Sequence, residues 1–109
     1  MEIKNINIPS KSRINHHAII LDSDLEEQVT IGGNTQTSNH DGVKIHRTKI
    51  GHGAYVGAGC NLVAPLVVNA NATIAAGSTI TEEVAHDTLA IARSRQVELK
   101  NWKGPKSRE

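Results

Sequence analysis

Between Ile50 and Ala85 an aliphatic side chain returns at every sixth residue: Ile50, Val56, Leu62, Val68, Ile74 and Ile80. Four places after each stands a mostly small residue, Ala54, Cys60, Leu66, Ala72, Ser78 or Val84. A compact residue often follows the aliphatic one, as at Gly51, Gly57 and Ala75. A period of six fits neither a helix of 3.6 residues per turn nor an alternating strand. Short, fixed self-similarity marks a solenoid, and hexapeptide repeats mark a parallel β-helix.

Composition agrees with such a column. The chain has 109 residues, enough for one domain, with no Phe, one Trp and one Tyr. An ordinary aromatic core is therefore excluded. A β-helix needs none, because stacked aliphatic and small side chains fill it and each coil buries the faces of its neighbours. The formal net charge of +1 gives no pull toward an acidic partner. One cysteine excludes an intramolecular disulfide, and Cys60, at a small-residue hexad position, is expected to be buried packing. No stretch is apolar enough for a membrane span and MEIKNINIPS is no signal peptide, so a cytoplasmic protein is expected.

Residues 1–24 show looser aliphatic beats, Ile3, Ile6, Ile8, Ile14 and Ile19, and read as a first, imperfect coil. The repeat begins without an evident cap, which implies a truncated ancestor or a partner over that end. From Leu25 the beat steadies through Ile31 and Thr37, then breaks for thirteen residues before Ile50. The polar interval carries the Asp41–Gly42 turn signal and reads as a loop over 38–49 thrown out from a rigid scaffold, where function tends to sit. After Ala85 the pattern stops. Residues 86–109 read as a tail, extended at Leu89 and Ile91, with a short helix over 94–103 ended by Gly104–Pro105. Arg93, Arg95, Lys100, Lys103, Lys106 and Arg108 lie here, opposed by Asp87, Glu98 and Glu109. Without interleaved aromatics these charges make a poor nucleic-acid surface.

Hexads of this kind define a large family of acyltransferases. Within it the segments EIK (2–4), NHHAII (15–20), SNHDG (38–42), HRTKIG (46–51), VGAGCNLVAP (56–65), TIAAGSTIT (73–81) and LAIAR (89–93) keep a consistent spacing. Through them the chain resembles the C-terminal acetyltransferase domain of the bifunctional glucosamine-1-phosphate N-acetyltransferase / N-acetylglucosamine-1-phosphate uridyltransferase family. The resemblance implies an all-β, left-handed parallel β-helix over residues 1–85, assembled as a homotrimer. The family's pyrophosphorylase domain has no counterpart, so uridyl transfer is not expected. The left-handed crossover departs from the usual right-handed rule, and it is the resemblance that implies it.

The resemblance also assigns roles. His16 falls where the family has its catalytic base, in a segment like AGHLTYLGD. Asn39 and His40 fall on the asparagine and tyrosine of NYDG, which contact acetyl-CoA. Ala58 and Ala76 fall on two cofactor contacts in the repeat turns, and Arg93 on the arginine of LAxxR. On the acceptor side Lys4 matches a lysine, and Lys44 stands beside Ile45, where the family has another. Other acceptor-side positions differ: the tyrosine after the base is Ile19, an asparagine is Thr30, turn glycines are Leu21 and Glu26, and the phosphate-gripping arginine of an earlier coil has no match.

Acetyl transfer to an amine needs a base, a donor for the oxyanion that develops on the thioester, and alignment of the two reactants. Histidine suits the first, with an unperturbed pKa of about 6.5. A turn N–H or the Asn39 amide suits the second, and a groove between packed β-helices the third. Arg93 suits a CoA phosphate through paired N–H donors. Each also has a plain reading: His16 as a solvated corner, His40 as loop surface and Arg93 as a tail charge. His17 is given no role. The expected function is acetyl-CoA-dependent N-acetylation of an amino sugar or its phosphate, glucosamine 1-phosphate by default. One alternative is a non-catalytic trimeric scaffold that has lost its sugar site. Another is a zinc enzyme of the γ-carbonic anhydrase kind built on His40, His46 and His52, which would need three converging neutral imidazoles; in the main reading no metal is expected.

Overall fold

The computed structural model describes residues 2–9 and 11–105. The tail charges Lys106, Arg108 and Glu109 lie outside the described residues. Every named strand pairing is parallel, and the strands form a three-sided column. The first face stacks β2 (Arg13–Ile14), β4 (Thr30–Ile31), β7 (Tyr55–Val56), β10 (Thr73–Ile74) and β12 (Leu89–Ala90). The second stacks the first half of β1 (Glu2–Asn7), the first half of β3 (Ile19–Leu25), β5 (Gln36–Ser38), β8 (Asn61–Val63) and β11 (Thr79–Ile80). Both β1 and β3 bend at their middles, and their second halves continue the third face with β6 (Thr48–Ile50) and β9 (Leu66–Val68).

The hexads map onto these faces one for one. Asn61 pairs with Thr79 and Tyr55 with Thr73, each 18 residues on, so three hexads make one coil. Successive aliphatic residues thus point inward from successive faces, and all six from Ile50 to Ile80 are buried. The residues four places later are buried at the corners: Ala54 and Ala72 at one, Cys60 and Ser78 at another. A Phe at such a position would not fit beside the coil above, which explains its absence from a core packed at crystal-like density. Cys60 is internal, and its thiol donates to the Ala75 carbonyl at 3.3 Å.

Three beats of the first coil differ from the sequence reading. Ile20 is fully buried, whereas Ile19 is 37% exposed and Ile3 and Ile8 are exposed too. The reason is a tight corner. Glu2 pairs with Ile19 and Ile19 with Gln36, each 17 residues on, so the early coils are one residue short of three hexads. At Ile19 the missing residue shifts which member of the strand points inward, whereas Ile3 pairs with buried Ile20 and is exposed because β1 is the end strand of the sheet among the described residues.

The broken beat is a loop over 39–47 between β5 and β6, closed by the His40–Ile45 bridge with Gly42 at φ 94°. Past Ala85 the ladder gains another rung, because Leu89–Ala90 pairs with Thr73–Ile74 and Thr79 N donates to the Ala92 carbonyl. The helix expected over 94–103 is not formed; a turn at 100–101 interrupts otherwise irregular chain. Val97, Leu99 and Trp102 are all exposed, and so short a helix is marginal without a face to dock on. Among the described residues no helix is long and apolar enough to cross a membrane.

Candidate active site

The corner between the first and second faces carries one residue column through four coils: His16, Gly33, Ala58 and Ala76. It is tied by backbone bonds one place along: Asn34 N donates to His16 O, Gly59 N to Gly33 O and Gly77 N to Ala58 O. Arg93 closes it from above, its Nη1 donating to the Ala76 carbonyl at 2.7 Å. His16, Ala58, Ala76 and Arg93 are all exposed along this edge. The corner turns because the next residue in each coil is left-handed: His17, Asn34, Gly59 and Gly77. His17 takes up its left-handed backbone with its ring edge-on to that of His16, centroids 5.1 Å apart. Gly33 was not singled out from sequence. Its place between His16 and Ala58 follows only once the coil lengths are known, and a Cβ there would meet the His16 carbonyl at 3.2 Å.

The other expected site residues lie across the second face, at its corner with the third. Lys4 pairs with Leu21 there, and the loop leaves from the same corner with Asn39, His40 and Lys44. The loop is shaped by its own side chains. Asp41 Oδ1 accepts the backbone N–H groups of Val43 and Lys44, and its Oδ2 takes a bond from His46 Nε2 at 2.8 Å. The Lys44 N–H, the His46 ring and the Val43 N–H, in that order, hold the Asp41 carboxyl far below the usual carboxylate range. His40 Nδ1 accepts from Gly42 N, so this ring folds back on its own turn.

The loop is also rooted in the scaffold, through residues that the sequence did not single out. Arg47 Nη2 and Nε reach Asp24 Oδ1 and Oδ2 at 2.8 and 3.1 Å, two parallel bonds that also lower the Asp24 pKa and raise that of Arg47. Asn39 Nδ2 donates to Asp22 Oδ2 at 2.6 Å. No motif marks these pairs, whose members stand 17 and 23 residues apart.

The two groups therefore flank the second face of a single chain rather than meet. Between them, beside the His16 corner, a shallow depression is lined by Glu2, His17, Ile19 and Asn34. His40, His46 and His52 are not gathered either: His46 faces Asp41, His40 its own turn, and the His52 N–H donates to Glu26. Among the described residues no three His, Cys, Asp or Glu side chains are grouped to hold a metal ion.

The carboxylates give an acid-stability prediction. Asp22, Asp24 and Asp41 all have folded pKa values below the unfolded value of about 3.9. Their stabilisation is then fully present above that value and lost as pH falls through the folded values. The urea midpoint is expected to be insensitive to these groups from neutrality to about pH 5 and to fall on further acidification. Asp24→Asn should flatten that fall, and a midpoint unchanged down to about pH 3 would contradict the assignment.

No protein-family model matches the chain. Among curated proteins it is 47% identical over 105 residues to the bifunctional protein GlmU of Methylobacillus flagellatus and 44% to that of Methylococcus capsulatus. Each match covers 96% of this chain and 23% of the relative, so the chain spans about a quarter of the relatives' length. Among solved structures, a perosamine N-acetyltransferase variant from Caulobacter crescentus, in complex with CoA and GDP-perosamine, superposes with TM-score 0.60 at 16% identity, over 84% of this chain and 47% of that one. A hexapeptide-repeat-containing acetyltransferase from Vibrio cholerae, complexed with acetyl-CoA, gives 0.54 at 18% identity, over 83% and 60%. At such identities these neighbours speak for the fold. By fold the chain is a hexapeptide-repeat left-handed parallel β-helix, and by sequence it is a relative of the C-terminal end of the bifunctional GlmU proteins.

Proposed function

We propose that the chain is the subunit of an acetyl-CoA-dependent N-acetyltransferase whose acceptor is an amino sugar or amino sugar phosphate, with glucosamine 1-phosphate the first to try. The observation that carries this reading is the exposed column of His16, Ala58 and Ala76, closed by the Arg93 side chain, in a chain 47% identical to a GlmU protein. Two structural neighbours were crystallised with CoA or acetyl-CoA, in keeping with a long cofactor laid along such an edge.

In this reading His16 takes the proton as the acceptor amine attacks the thioester carbonyl. The N–C bond forms, an oxyanion develops on the carbonyl oxygen, and collapse breaks the C–S bond to release the CoA thiolate, which His16 reprotonates. Turn N–H groups at the corner or the Asn39 amide face the oxyanion. Arg93 pairs with a phosphate of CoA while its Nη1 stays on Ala76. Lys4 and Lys44 meet the acceptor's phosphate. Cys60 is buried and takes no part.

A homotrimer completes this site. One chain carries the base and cofactor edge at one corner and the loop at another, so a second copy must bring its loop to the first copy's edge. The exposed Ile19, Tyr55, Val67 and Leu89 offer apolar surface for such contacts. Light scattering should return three times the 11.7 kDa chain mass, and a monomer at micromolar concentration would remove the shared site. The chemistry is tested by an acceptor screen that follows thiol release with DTNB. Turnover on an amino sugar supports the reading. CoA binding without turnover on any amine leaves the scaffold alternative in its place.

A further inference from the structure

The corner between the second and third faces holds a ladder of amides around one carboxylate. Asn5, Asp22 and Asn39 follow one another at intervals of 17 residues in successive coils. Asn5 and Asp22 are both left-handed, at φ 51° and 50°, and mark the tight bend that shortens the early coils. Asn5 Nδ2 donates to Asp22 Oδ1 and Asn39 Nδ2 to Asp22 Oδ2, each at 2.6 Å. Asp22 is only 7% exposed, so this carboxylate is committed to the two amides rather than to water. The two amides, Asn5 first, hold its pKa below the ordinary carboxylate range, with lesser help from Arg47 and Lys4.

An ionised carboxylate only accepts hydrogen bonds. Asn39 must therefore turn its NH₂ group to Asp22, which determines which end of its carboxamide faces outward. One amide hydrogen is spent on Asp22. The carbonyl oxygen and the second amide hydrogen have no protein partner among the described residues. This leftover pair is one acceptor and one donor on a fixed plane. It matches two groups that meet in amine acetylation: the N–H of the attacking amine and the oxygen of the thioester carbonyl.

We propose that Asp22 is a positioning residue for acetyl transfer, holding the Asn39 carboxamide in the one orientation that presents its carbonyl to the acceptor amine and its free N–H to the thioester oxygen. The proposal rests on the reading of Asn39 as an acetyl-CoA contact. Asp22 touches neither reactant and acts through Asn39 alone. Without the carboxylate the amide can flip, which exchanges donor and acceptor at the site.

A double-mutant cycle separates this role from plain bracing of the corner. Asp22→Asn keeps the shape but offers Asn39 an amide in place of a carboxylate. With acetyl-CoA and glucosamine 1-phosphate, and DTNB to follow thiol release, it should lower kcat by about 10–100-fold, the usual cost of a reacting group misplaced by about 1 Å or less. In an Asn39→Ala background the same change should cost no more than about twofold. Equal losses in both backgrounds, or no loss with Asn39 intact, would overturn the proposal. If Asn39→Ala itself is without effect, the reading of Asn39 as a contact falls, and the positioning role with it. The side-chain ¹⁵N–¹H signals of Asn39 give a measure independent of turnover. The intact protein should show one strongly downfield amide proton that moves only when acid protonates Asp22, and two equivalent, water-like protons would contradict the bridge.

Discussion

Replacing His16 by alanine should lower the rate of acetyl transfer by about 10²–10⁴-fold, the range for loss of a positioned general base. His16 is exposed at a corner, and among the described residues its side chain has no hydrogen-bond partner. Its removal should therefore leave the urea midpoint and the affinity for CoA nearly unchanged. That split is the diagnostic part: the loss falls on kcat and spares folding. The neighbouring His17 supplies the control. It holds a left-handed backbone at φ 61°, so His17→Asn, which tolerates that conformation, should keep most of the activity. Retained turnover in His16→Ala would remove this histidine from the mechanism.

The largest expected effect on stability lies one coil away, at Gly57. It is buried, and its N–H donates to the Ile74 carbonyl at 2.9 Å. A Cβ placed there would stand 2.6 Å from Ala76 N and 2.8 Å from Ala76 Cα, both backbone atoms of the next coil. Gly32 stands in the same relation to Ala58. The coils therefore pack backbone on backbone beneath the His16 edge, and neither side can yield without parting the ladder. Gly57→Val should cost about 3 kcal/mol or more, at the upper end for overpacking. Gly59 provides the contrast: nothing stands within 4 Å of its missing Cβ, but its φ is 69°. Gly59→Ala should cost only the left-handed penalty of about 1–2 kcal/mol. Urea midpoints in the reverse order would contradict the packing account.

The interior was legible because a six-residue repeat leaves little freedom. Once Leu62 points inward, its spacing to Val56 and Val68 dictates the neighbouring faces, and all three are buried. Ile19 breaks the count because one residue is missing from the coil, and a six-residue period carries no signal for a corner drawn tight at Asp22. The loop was legible as a broken beat, but its anchors were not. Arg47 with Asp24 and Asn39 with Asp22 are contacts between coils, and their partners are known only when the register is known. The tail helix was read from local pattern, and tertiary packing supplied no face for Val97, Leu99 and Trp102 to meet. The column through His16, Ala58 and Ala76 came from family resemblance. The coil repeat of 18 residues places Ala58 beneath Ala76 in the structure, and the longer step across the loop places Gly33 beneath Ala58.

The proposed acetyl-CoA site has as one wall the edge running from His16 through Ala58 and Ala76 to Arg93. Isothermal titration of the purified protein with CoA and with acetyl-CoA tests it most directly. Saturable heat is expected for both ligands, with mutual competition and an affinity weakened by Arg93→Ala. No heat and no competition with either ligand at millimolar concentration would contradict it.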